Sequence, residues 1–234
     1  MKAVSSFLIE GEMEMLELKL QLLNEIKKNV PKKNEFTKNE LDLLTKFSFD
    51  DDINIKLEVA IILIDFNEER GEDILRRLSR DKNSLVRTYS CESLGFSKSI
   101  STYELLKKII LTDKNGMVRG YAILSLFDIS ERLKLNSDLK EFLINIEKKE
   151  KVVFTKINIY KVLYQLTNNK KYLHLLILYL DTNKYQNRCV VVHCFAEIIN
   201  NKNRDLIISA LKNQNIKEKS FAVTSTIDNF LNVC

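Results

Sequence analysis

A short pattern recurs along the chain: an acidic residue (once an Asn), then a lysine or arginine six or seven positions later, then apolar residues at helical spacing. The two cleanest copies are Asp81-Lys-Asn-Ser-Leu-Val-Arg87 and Asp113-Lys-Asn-Gly-Met-Val-Arg119, 32 residues apart. Taking the cation as position zero aligns Lys56, Arg87, Arg119, Lys156, Arg188 and Lys219, at intervals of 31, 32, 37, 32 and 31 residues. A period of this size identifies units too small to bury their own apolar faces, which must stack on one another. Few other features constrain a chain so tightly, because every copy must then adopt one backbone path.

Within each copy, positions +3, +4, +7 and +8 are apolar or small: Val59, Ala60, Leu63 and Ile64 in the first, Ala122, Ile123, Leu126 and Phe127 in the third. This i, i+1, i+4, i+5 stripe is one face of a helix. A second amphipathic segment precedes each turn, as in Leu41–Phe47, Tyr103–Ile110 and Leu206–Leu211, and Asn39, Ser101 and Asn203 are expected N-caps for three of these. Each unit therefore reads as helix, short turn, helix. Five glycines and one proline in 234 residues leave little turn chemistry for a β-sandwich or an α/β enzyme.

The pattern resembles HEAT repeats, in which an Asp in the turn is followed by Val-Arg and a small residue on the second helix. Asp81, Val86, Arg87 and Ser90 match it, as do Asp113, Val118, Arg119 and Ala122, and Asp50, Ile55, Lys56 and Val59 match conservatively. Later copies drift to Glu150 with Lys156, Asp181 with Arg188, and Asn213 with Lys219. The resemblance implies an all-α, right-handed α-solenoid of about six helical hairpins. It further implies that Asp50, Lys56, Asp81, Arg87, Asp113, Arg119 and Arg188 form a structural ladder between repeats. Residues 1–35 are expected to form an N-terminal helical cap. Residues 36–234 are expected to form a single repeat array, with a weak joint near 132–151 where about five extra residues lengthen a loop or a first helix.

By the same resemblance the second helices line the concave side. Positions +2, +5 and +9 then face the groove, because i, i+3, i+7 spacing keeps them on one helical face. The expected partner-binding residues are Glu58, Asp65, Tyr89, Glu92, Tyr121, Asp128, Lys161, His193 and Glu197. Across all copies these positions hold six carboxylates (Asp228 included) against one lysine, so the lining is anionic although the whole chain carries +5. An anionic wall repels a phosphate backbone and attracts a basic protein, and tyrosines supply interface anchors. The expected partner is thus a basic protein, such as a bacterial toxin neutralised by an immunity protein. Nucleic-acid binding or repair through basic outer loops such as Lys148-Lys149 and Lys170-Lys171 is the alternative.

No catalytic constellation is apparent. Cys189 and His193 share a face but Cys194 points about 100° away, so the set does not converge as zinc ligands must. Gly116 and Gly120 do not form a phosphate loop. The HEAT-like DNA glycosylases use tryptophans in a basic groove, and this chain has no tryptophan. The phycobilin lyases are built from similar repeats, and no residue here points to that role. The expectation is a non-enzyme with no metal and no cofactor. Cys91, Cys189, Cys194 and Cys234 read as reduced thiols, and no run reaches the roughly 18 apolar residues of a membrane span. Together these predict a cytoplasmic protein without membrane contact.

Overall fold

The structure is a computed structural model that describes residues 2–33, 35–64 and 69–233, without the side chains of 2–12 and 30–33. Asp65 and Cys234 therefore lie outside what is described. Among the described residues there are helices and no strands. A long α1 (Lys2–Lys33) is followed by α2 (Lys38–Phe47) with α3 (Ile53–Ile62), α4 (Glu69–Leu78) with α5 (Ser84–Leu94), and α6 (Ile100–Thr112) with α7 (Gly116–Leu133). Then come α8 (Asn136–Glu147) with α9 (Val153–Thr167), α10 (Lys170–Leu178) and a 3-10 turn (Tyr179–Asp181) with α11 (Tyr185–Ile198), and α12 (Arg204–Lys217) with α13 (Phe221–Val233). The chain forms two compact units, Met1–Leu106 and Lys107–Cys234.

In the first unit α1, α3 and α5 pack side by side, with α2 and α4 against them. The core is Leu23 and Ile26 of α1 with Leu44, Ile55, Val59, Leu63, Leu75 and Leu94, all buried. In the second unit α7, α9, α11 and α13 form the equivalent row, backed by α8, α10 and α12. Its core includes Val118, Leu126, Leu143, Ile159, Leu163, Leu176, Phe195, Leu211 and Ile227. The apolar stripe of each second helix is thus what the row buries, and burial of this kind supplies most of the stability of helices this short.

The turn into each second helix is built from side-chain caps. Asp50, Asp81 and Asp113 each accept the N–H of the residue two ahead, at 3.0, 2.7 and 2.8 Å. That residue (Asp52, Asn83, Asn115) is the N-cap, and accepts the next N–H but one in the same way. Two successive Asx turns satisfy backbone donors that a helix start leaves without partners. Glu150 and Glu218 do the same work with longer side chains, accepting from Lys151 and Val152 and from Lys219 and Ser220.

The cation of one repeat reaches the acid of the next. Lys56 Nζ lies 2.7 Å from Asp81, and Arg119 and Arg188 form two-pronged pairs with Glu150 and Glu218 at 2.7–2.8 Å. Arg87, Arg119 and Arg188 also donate to the carbonyl six residues back, at Asp81, Asp113 and Thr182. One arginine thus ties its own turn and the adjacent one. The ladder extends to the N-terminus, where Lys19 of α1 pairs with Asp50 at 2.6 Å, so α1 takes the place of a second helix in front of the first hairpin.

Several local readings are corrected. The N-cap of α2 is Thr37, in a capping box with Glu40, and Asn39 lies inside the helix; Ser101 likewise lies inside α6. Asn203 precedes α12, but its side chain bonds the N–H of Asn200, the hydroxyl of Tyr164 and the carbonyl of Ile198 instead of capping. The extra residues between the third and fourth copies lengthen the second helix, α7, to 18 residues, and Lys134 in the left-handed region ends it. In the last repeat the acid is Glu218, not Asn213, because Glu218 stands three residues before the start of α13 as Glu150 does before α9. The residue in the position of the arginine is then Thr224, not Lys219. In the fifth copy Thr182 fills the acidic place, so Lys156 has no carboxylate there, while the neighbouring Asp181 pairs with Lys217.

Candidate functional site

The face of interest is the side of each second helix turned away from its stripe of buried residues. In the first unit, Glu58 on α3 receives Lys27 of α1 at 3.3 Å, so part of its charge is answered within the chain. On α5, Tyr89 is exposed, and the half-buried Glu92 has no cation among the described residues. Desolvation alone raises the Glu92 carboxyl above its usual range. The hydroxyl of Ser93 donates to the carbonyl of Ala60 at 2.8 Å, fixing α5 against α3 and with it the direction of these side chains.

In the second unit three successive helices contribute one charge each: Asp128 from α7, Lys161 from α9 and Glu197 from α11. Lys161 is buried, with its ammonium on the exposed carboxylate of Glu197. This differs from the expectation of an open groove lysine: α9 is the middle helix of its row, so α7 and α11 cover its flanks, and Asn158 on the same face is buried as well. Asp128 is open to solvent, yet burial against the wall raises its pKa. Arg132 and Lys161 oppose that shift and Glu197 and Glu131 add to it. His193 is exposed beside Glu197 on the sequence register.

Tyr121 lies over Phe154 of the neighbouring helix, ring centroids 6.0 Å apart and 26° from parallel. Gly120 makes this approach possible. A Cβ there would stand 2.4 Å from the Phe154 ring and 2.9 Å from the Asn158 amide. The amide of Asn158 in turn donates to the Phe154 carbonyl at 3.0 Å. Position +2 is therefore split: Tyr89 stands free, Tyr121 is stacked and Asn158 is enclosed. Phe221, read as a wall residue, sits at the start of α13 and is 86% exposed, as the corrected register requires.

The chemistry of this face is recognition through charge. Cys194 of α11 is buried and its thiol is pushed up to about 12 by desolvation, so it stays protonated and is a poor nucleophile. Sequence reasoning missed Lys19, Lys27, Phe154 and Glu218. Two of these had a legible signal: Lys19 precedes Lys56 by 37 residues, the spacing of Arg119 and Lys156, and Glu218 repeats the spacing of Glu150 to its helix start.

Fold and face together define an all-α, HEAT-like solenoid. Residues 41–126, from α2 into α7, match the family model of HEAT repeats. No curated protein matches the sequence. The fold is similar to a chain in the complex of CpcE and CpcF of phycocyanin lyase from Nostoc sp. PCC7120, at 15% identity over 90% of this chain and 88% of that one, with a TM-score of 0.54. It is also similar to YibA of E. coli, at 18% identity over 91% of this chain and 74% of that one, with a TM-score of 0.55. No helix among the described residues is long and apolar enough to cross a membrane.

Proposed function

We propose that this chain is a non-catalytic binding protein that holds a basic partner protein against the second-helix faces. The observation that carries the reading is the state of Glu92 and Asp128. Glu92 is half-buried, at a cost in hydration, with no cation among the described residues, and Asp128 has only its incompletely compensating neighbours. An arriving lysine or arginine relieves that penalty, so the face gains more from a cationic partner than a solvated carboxylate would. Tyr89 offers an exposed aromatic anchor beside Glu92. One of the similar structures is a complex of two proteins, CpcE and CpcF, which supports protein binding as a use of this fold. In its sharper form the partner is a cationic toxin and the chain a bacterial, cytoplasmic immunity protein.

Affinity capture from the native host with the intact chain, against a Glu92→Lys, Asp128→Lys variant, tests the reading. The wild type should enrich a basic protein in a salt-sensitive manner and the variant should lose it. Equal capture by the variant moves the interface elsewhere, and capture of nucleic acid in place of protein overturns the reading.

A further inference from the structure

The opposite chemistry appears at the turns of the second unit. Arg119–Glu150 and the bond from Thr155 to the Gly116 carbonyl (2.9 Å) bring the starts of α7 and α9 together, while Arg188–Glu218 and Lys217–Asp181 join the turns ahead of α11 and α13. With α9 packed on α11, the four turns lie along one edge. Exposed lysines stand on each of them, among them Lys114, Lys151, Lys184 and Lys219. Two of the carboxylates there are turned inward, Glu150 and Glu218, held by the arginines with side chains only 10% and 2% exposed, and the exposed Asp181 is answered by Lys217. The acids that build the ladder thus subtract little from the outward positive charge.

The same edge exposes large apolar side chains. Ile216 and Phe221 flank the α12–α13 turn, Ile216-Lys-Glu-Lys-Ser-Phe221, and each is 86% exposed. Leu111 at the end of α6 is 63% exposed. None contributes to the core. Aliphatic tips gain nothing against a phosphate backbone, and the arginines that could grip phosphates in a two-pronged way are already used. Lysines around protruding aliphatic and aromatic side chains suit a lipid interface: the tips enter the acyl boundary and the ammonium groups meet anionic headgroups.

We propose that the turn edge of residues 107–234 docks on an anionic lipid surface, with Ile216 and Phe221 as the inserting residues. This surface is separate from the acidic second-helix face, so either reading can fail without the other. The sequence argument against membrane contact rested on the absence of a span, which leaves peripheral docking open.

The test is co-sedimentation of the full chain with phosphatidylcholine vesicles, with and without phosphatidylserine. Binding should require phosphatidylserine and weaken with salt. Ile216→Ser with Phe221→Ser should lower partitioning by at least about tenfold. Lys151→Gln and Lys219→Gln should lower it by about fivefold each. Circular dichroism of each variant should match the wild type, since all four side chains point to solvent. Absence of sedimentation with phosphatidylserine vesicles overturns the proposal. So does undiminished binding by the Ile216/Phe221 variant, or displacement from vesicles by double-stranded DNA with a steep salt dependence, which would make nucleic acid the ligand.

Discussion

Replacing Glu218 with glutamine isolates the charge of the last rung of the ladder while keeping its shape. The glutamine oxygen can still accept the N–H groups of Lys219 and Ser220 and one Arg188 bond at 2.7 Å, but its NH2 cannot accept the second Arg188 bond at 2.8 Å or the Gln214 amide. In the folded chain Arg188 foremost, helped by the Ser220 N–H and the Gln214 amide against the cost of burial, holds the Glu218 carboxyl down at about 2 from an ordinary 4.5. At about 1.36 kcal/mol per unit, that depression corresponds to about 3 kcal/mol at most. Glutamine keeps part of this network, so we expect roughly 1–2 kcal/mol for Glu218→Gln at neutral pH. Because the folded pKa is depressed, the contribution is complete above about pH 4.5 and disappears as the pH falls through about 2. Urea unfolding followed by circular dichroism, repeated from about pH 7 to about pH 2, should show the gap between wild type and variant closing over that window. A carbon-detected NMR titration of Glu218 reads the folded pKa directly. A gap under about 0.5 kcal/mol, or one that does not change with pH, would refute the assignment of this rung as a charge pair.

Two further predictions follow from the same geometry. Lys161 is buried while its partner Glu197 is exposed, so Glu197→Gln, which leaves an ammonium enclosed, should cost about 2 kcal/mol, and Lys161→Met, which leaves a solvated carboxylate, under about 1. Thermal unfolding of the pair of variants checks the order, and the reverse order would mean that Lys161 is solvated. Gly120→Ala should destabilise by about 1–2 kcal/mol despite the better helix propensity of alanine, because the new methyl meets the Phe154 ring; near-ultraviolet circular dichroism should report the displaced Tyr121–Phe154 stack, and an unchanged spectrum with raised stability would contradict the contact.

The repeat period, the helix-turn-helix unit and the buried stripe were legible in the residues, because each depends on contacts within about one unit or on the same contact made repeatedly. Val59, Ala122, Ile159 and Val191 recur at one position and all are fully buried. The register failed where the local signal was degenerate. Asn213 and Lys219 have the right spacing, yet Glu218 is the residue that stands three ahead of a helix start and within reach of Arg188. The face was harder to read, since a helical wheel says which residues share a side but not what the adjacent helix brings to it. Only packing could show that α7 and α11 close over Lys161 and Asn158, that Lys27 of α1 reaches Glu58, and that the missing Cβ of Gly120 admits Phe154. Local spacing determined the repeats of this protein, whereas long-range neighbours decided which charges remain available, because desolvation and pairing depend on every element packed around a group and not on the element that carries it.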